Sequence, residues 1–171
     1  FKLDGLTKRS ETLFLYEGLL DHDNDPKTDP IPGLVEAKDA DEESPLRQQQ
    51  TFRYKQGVKE SFASTITKLL GDQSQEKIDE VTQIRSDLKT RSKTIYFYES
   101  ADPTKLVRAS EAQEDAAIRR QDQIRFKSGL EQKKQLETHL VGEQASERTS
   151  LQVAFKLDGL TKRSETLFLY E

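Results

Sequence analysis

The chain has no cysteine and only two histidines, eight glycines and five prolines in 171 residues. Without cysteine there are no disulfides and no thiolate sites, although this leaves the compartment open. His22 and His139 are too few for metal chemistry by His and Cys. There is no HExxH, no phosphate-binding glycine loop and no Gly-x-Ser-x-Gly. These absences remove the common routes to catalysis, so no catalytic residue is assigned and no enzyme is expected. No apolar run is long enough to span a bilayer and no signal peptide is present, so membrane insertion is not expected. The chain opens on Phe1; we read it as a fragment, with any targeting signal lying outside it.

Apolar residues are also scarce, at 33%, against 34% charged. That is lean for a globule and suits long amphipathic elements with one narrow buried stripe. The net charge of −4 argues against a nucleic-acid module. Asp21 to Ser44 holds nine Asp/Glu against Lys27 and Lys38, while the remainder is slightly basic.

What the chain does have is repetition. Phe155 to Glu171 is identical to Phe1 to Glu17, an offset of 154. Drift would have erased an old match of this length. The chain is therefore cut from a tandem array of near-identical periods, or a segment was duplicated by design. A second, diverged repeat lies inside the period. Residues 34–99 align with 106–171 at an offset of 72, with a one-residue slip at Leu69–Gln73 against Leu140–Gln144. The expected organisation is the end of a preceding repeat (1–17), an acidic Pro-containing linker (18–33), repeat unit 1 (34–99), a short linker (100–105) and repeat unit 2 (106–171).

Two readings of local structure compete. Leu151 to Leu157 alternates like a strand, with Asp158-Gly159 as its hairpin turn. Against this, Ile78, Val81, Ile84, Leu88 and Ile95 follow helical spacing, and Val153, Leu160 and Leu167 are spaced by seven. Related segments share a fold, so both are read as helical, and Gly159 then costs about 1 kcal/mol relative to Ala. Ser44-Pro45 and Asp102-Pro103 look like helix starts, and Gly71 and Gly142 like stops. The second of these helices would be on the order of 55 Å long. The fold expected is all-α: tandem antiparallel helical hairpins in a spectrin-like or helical-repeat array. The alternative is α+β with the Leu151–Leu157 hairpin.

Three motifs carry candidate chemistry. Asp21, Asp23, Asp25 and Asp29 occupy positions 1, 3, 5 and 9 of an EF-hand-like calcium loop, but Pro26 and Pro32 stand where glycine and a bidentate acid are needed. The bland reading is a solvated acidic linker. Arg53, Lys55 and Gly57 recur around an aromatic as Arg125, Lys127 and Gly129. These four bases would meet an acidic partner, or simply flank a buried aromatic while Gly lets helices approach closely. Arg119-Arg120 and Lys133-Lys134 read as solvated helix faces paired with nearby acids. Calcium is the one cofactor considered.

The functional expectation is a non-catalytic spacer, scaffold or cytoskeletal crosslinker from a large tandem-repeat protein, placed in the cytoplasm. Its partners would be neighbouring repeats and other proteins. The alternatives are a cell-surface adhesin stalk with a calcium-binding linker, and an engineered chain with a duplicated terminus.

Overall fold

The computed structural model of the chain describes residues 8–20 and 31–170. It divides into two compact units, Phe1–Lys77 and Ile78–Glu171, a division that falls inside the first sequence repeat. Among the described residues the only helical pieces are two 3-10 turns, Ala37–Asp39 and Ala109–Glu111. Everything else that is regular is antiparallel strand. The all-α reading is therefore overturned, and with it the helical hairpins, the coiled-coil seam and the likeness to spectrin-like rods. The α+β alternative fails for want of helices.

In the first unit β1 (Ser10–Leu20) is central. It pairs with β2 (Ile31–Glu36) and with β3 (Leu46–Lys55). The far side of β3 takes β5 (Thr65–Leu70), and β4 (Val58–Lys59) folds back on the end of β3. The segment expected to end a preceding helical repeat thus supplies a strand.

The second unit is a meander. β6 (Lys77–Ile84), β7 (Thr90–Glu99), β9 (Ile118–Lys127), β10 (Leu130–Val141), β11 (Arg148–Phe155) and β12 (Lys162–Leu167) lie side by side in that order. β8 (Leu106–Val107) pairs with the end of β7.

The turns explain the glycines. Gln56 and Gly57 have φ of 52° and 83°, and Ser128 and Gly129 have 54° and 82°. Two successive left-handed residues define a type I′ turn, whose twist matches the flanking strands. The Arg-aromatic-Lys-x-Gly motif is thus a strand end running into its hairpin turn. Gly57 is required by φ and not by close packing, since an added Cβ would meet nothing within 4 Å. Gly71 and Gly142 sit in the turns after β5 and β10, at φ of 120° and 114°. A Cβ on Gly71 would lie 2.7 Å from the Gln75 carbonyl oxygen. They end strands, not helices. Gly159 falls in the turn between β11 and β12.

The helical spacing has a physical explanation. Val153 is buried, but Leu160 is 84% exposed in a turn and Leu167 is 66% exposed on β12. The seven-residue seam joins a buried strand residue, a turn residue and an exposed edge-strand residue, which form no common buried stripe. Leu88, at the tip of the β6–β7 turn, is also exposed. The strands lack alternation because both faces are half covered. β3 and β9 carry Gln48-Gln49-Gln50 and Arg120-Gln121-Asp122-Gln123, and every one of these is half-buried. The core is thin. Its buried apolar residues are Val35, Ala63, Leu69, Tyr98, Ala109, Ala116, Ala117 and Val153. Among the described residues no large side chain is fully buried. Stability then rests on cross-strand pairs and on the aliphatic stems of long polar side chains.

The internal repeat is visible in strand register. β1 meets β3 from Ser10↔Arg53 to Tyr16↔Leu46, with an irregularity at Leu15/Tyr16. β7 meets β9 from Ser92↔Arg125 to Tyr98↔Ile118, with the same irregularity at Phe97/Tyr98. Tyr16↔Val35 repeats as Tyr98↔Val107. Glu80↔Ile95 through Ile84↔Thr90 repeats as Leu151↔Leu167 through Phe155↔Lys162. Pairing places Thr65 against Thr51 and Leu136 against Gln123, so the slip already exists at the start of β5 and at Leu136 within β10, although Leu130↔Lys127 still matches Val58↔Lys55 at 72. It persists to Ile84 and Phe155. The longer turn before Lys162, compared with that before Thr90, restores the offset of 72.

Candidate functional site: the repeated joint

β1, β7 and the segment after β12 share one pattern: Phe14-Leu15-Tyr16-Glu17 within β1, Tyr96-Phe97-Tyr98-Glu99 at the end of β7, and Phe168-Leu169-Tyr170-Glu171. In the first two cases its glutamate meets the next element in the same way. The Glu17 amide donates to the Pro45 carbonyl and the Glu99 amide to the Ala117 carbonyl, both at 3.0 Å. That brings the glutamate beside an arginine two residues further on.

Arg47 Nε donates to Glu17 Oε2 at 2.7 Å, and its Nη1 donates to the Gly71 carbonyl at 2.5 Å. Arg119 Nε donates to Glu99 Oε2 at 2.9 Å, and its Nη1 donates to the Gly142 carbonyl at 2.6 Å. One guanidinium thus ties the end of the preceding strand to the glycine turn beyond the following one. A planar fork of donors suits this, and lysine does not replace it.

Two further bonds recur. The Leu46 and Ile118 amides donate to Glu76 Oε1 at 2.8 Å and Glu147 Oε1 at 3.0 Å. Gln73 Nε2 donates to the Glu42 carbonyl at 2.5 Å, and Gln144 Nε2 to the Glu114 carbonyl at 3.2 Å. Glu99 has one extra partner, the Ala117 amide at 3.1 Å. That donor and Arg119, both favouring the carboxylate, hold the Glu99 pKa below its ordinary value. At the matching position Pro45 has no N–H to give.

The tyrosine makes its own recurring contact. Tyr98 Oη donates to the Ile78 carbonyl at 2.8 Å, and Tyr170 Oη donates to the Thr149 carbonyl at 2.7 Å. Tyr98 is 3% exposed and Tyr170 is 52% exposed. Only Tyr98 has a following strand, β9, and β8 beside it. Burial raises the Tyr98 pKa well above the ordinary phenol range.

The second unit carries another polar cluster, on β9 and β10. Asp122 lies between Arg120 Nε at 3.2 Å and Lys134 Nζ at 3.5 Å. Glu137 meets Lys134 and His139, the latter at 2.6 Å. Burial pushes the Glu137 pKa up, but its hydrogen bonds with Lys134 and His139 outweigh this and leave it lowered. Arg120 stacks over Phe97 at 4.4 Å. The cluster does not repeat: pairing puts Gln48, Gln50, Ile66 and Lys68 at the corresponding places of the first unit.

The residues singled out in the sequence fall elsewhere. Arg53, Lys55, Arg125 and Lys127 are exposed at the ends of β3 and β9, beside the hairpin turns, and take no part in the joint. Tyr54 and Phe126 between them are both half-buried. Asp21, Asp23, Asp25 and Asp29 lie outside the described residues. Among the described residues no group of three or more His, Cys, Asp or Glu could hold a metal ion. Arg119 and Arg120 do not form a common basic face. One binds Glu99 and the other Asp122, as alternation along a strand requires. The joint was missed because its partners are distant in sequence. A signal existed: Arg47, Glu76 and Gln73 recur as Arg119, Glu147 and Gln144 while most surrounding charges change.

No helix of the described residues is long and apolar enough to cross a membrane. Comparison with family models, with curated proteins and with solved structures returns no match.

Proposed function

We propose that this chain is a non-catalytic structural segment of a tandem-repeat β-protein, a spacer or scaffold whose first partners are its own neighbouring repeats. The observation that carries this reading is the joint, built twice with one register and one set of Glu, Arg, Gly and Gln partners. A contact that recurs at every repeat boundary makes neighbouring units stabilise each other, which is the energetic design of repeat arrays. The 154-residue identity supports a longer array of the same kind. The adhesin alternative rests on the spacing of Asp21 to Asp29 alone and has no such support.

The test is a chain carrying two copies of the 154-residue period. Its urea midpoint should exceed that of the single-period chain, and Arg119→Ala should reduce the gain. An unchanged midpoint would show that repeat boundaries carry no coupling and would overturn the proposal.

A further inference from the structure

We infer that the open edge of β12 is a docking site for a second copy of this chain, specifically its strand Leu46–Lys55, which there gives up its own β1. This rests on the tandem-repeat reading and names the partner.

Residues 162–171 are the same ten residues as 8–17. In the first copy they already hold β3, from Ser10↔Arg53 to Tyr16↔Leu46. The third strand of this type, β7, holds β9 in that register. β12 reproduces the other half of the β7 arrangement. It pairs with β11 as β7 pairs with β6, and among the described residues it has no second neighbour. The side of β12 away from β11 corresponds to the side of β7 that takes β9.

The side chains there are uncovered. Leu167 is 66% exposed, Leu169 85% and Tyr170 52%. Their counterparts on β1, namely Leu13, Leu15 and Tyr16, are half-buried, and on β7 Tyr98 is 3% exposed. An unpaired strand edge, here KRSETL followed by exposed apolar residues, is a template for pairing. The occupant follows from identity. Leu46–Lys55 already accepts this very sequence, and Arg47 already pairs with the glutamate that ends it. Exchange of β1 for the β12 segment of another molecule reproduces the β1–β3 contacts of Ser10 to Tyr16 and gives up the β1–β2 pairs of Gly18 to Leu20. The exchange is therefore driven by concentration, as in domain swapping.

Charge reversal at the joint tips that balance in a defined direction. Glu17→Arg sets like charges against Arg47 within one molecule, while Glu171 of another molecule keeps the opposite charge. Glu171→Arg does the reverse. The double variant Glu17→Arg with Arg47→Glu restores opposite charges within one molecule and repels Glu171. Sedimentation equilibrium of the full chain should show an association constant raised about 1.5- to five-fold by Glu17→Arg, the range of one exposed ion pair. It should fall for Glu171→Arg and for the double variant. Hydrogen exchange should show residues 8–16 released in Glu17→Arg at high concentration, with β3 still protected. The inference is overturned if Glu17→Arg and Glu171→Arg shift association in the same direction, or if neither shifts it. Coupling in the two-period chain without charge-dependent association would defeat this inference alone. The converse result would defeat only the proposed function.

Discussion

At the scale of single residues, the left-handed positions separate what a side chain costs from what it contacts. Leu88 adopts φ of 63° in the β6–β7 turn, where the β11–β12 turn has Gly159 at 69°. A leucine in this region is strained by about 1 kcal/mol, and Leu88, 67% exposed, recovers little from burial. Leu88→Gly should raise stability by about 0.5 kcal/mol, the remainder being offset by the backbone freedom of glycine in the unfolded chain. Gly159→Ala should lower it by more than about 1 kcal/mol. The new Cβ would also stand 2.3 Å from the Lys133 Cβ. Urea denaturation of both variants checks the opposite signs.

The exposed carboxylates set the response to acid. Hydrogen bonds from Lys59, Tyr54 and Lys8 lower the Glu11 pKa from 4.5 to about 2. Asp158 is lowered to about 2 by Thr161, by the Leu160 amide and by the Thr161 amide. Their folded pKa values lie below the unfolded ones. Each therefore stabilises the fold fully above its ordinary pKa and loses that contribution as pH falls from about 4 through about 2. The urea midpoint should drop across this window. Glu11→Gln should flatten part of the drop. An identical slope in that variant would show that the Glu11 contacts do not persist in solution.

At the scale of elements, one strand type occurs in three settings, and its neighbours decide its energy. Tyr98 and Tyr170 make the same hydrogen bond to the preceding strand, yet only Tyr98 is covered by β8 and β9. Tyr98→Ala should cost about 3 kcal/mol or more, combining lost apolar burial with a lost hydrogen bond. Tyr170→Ala should cost about 1 kcal/mol, chiefly the hydrogen bond. Equal losses would mean that the following strand does not determine burial of this tyrosine. The repeat itself was legible at this scale, because residues 71 or 72 apart match at turn and joint positions. The type of element was not. Helical spacing in Ile78, Val81 and Ile84 coexists with β6 because a strand half-covered on both faces is free to place apolar residues at any interval. The turn dipeptide Asp158-Gly159 was the better guide, since its demand for positive φ is local.

At the scale of the whole molecule, the two identical ends differ in surroundings. From Ser10 on, the leading copy supplies an inner strand of the first unit. The trailing copy is exposed from Thr161 to Tyr170. Deleting residues 1–17 should therefore strip β3 of a neighbour. Its amides should exchange at least about tenfold faster while those of β9 stay protected, since local opening reflects local pairing. Equal acceleration in β3 and β9 would show that β1 acts on the chain as a whole and not on its own unit.

The sequence by itself determined that this chain is repetitive at two periods, lacks thiol chemistry, and carries one set of Glu, Arg, Gly and Gln at corresponding places. Those properties are encoded position by position, so aligning the chain with itself exposes them. Only the tertiary structure decided that the repeats are strands, that Arg47 and Arg119 bridge a strand end to a distant turn, and that one tyrosine is buried while its twin is bare. The reason is that a β-strand has no internal hydrogen bonds. Its partners, its register and the covering of its faces come from segments tens of residues away, and identical residues acquire different environments according to which of those segments lie alongside them.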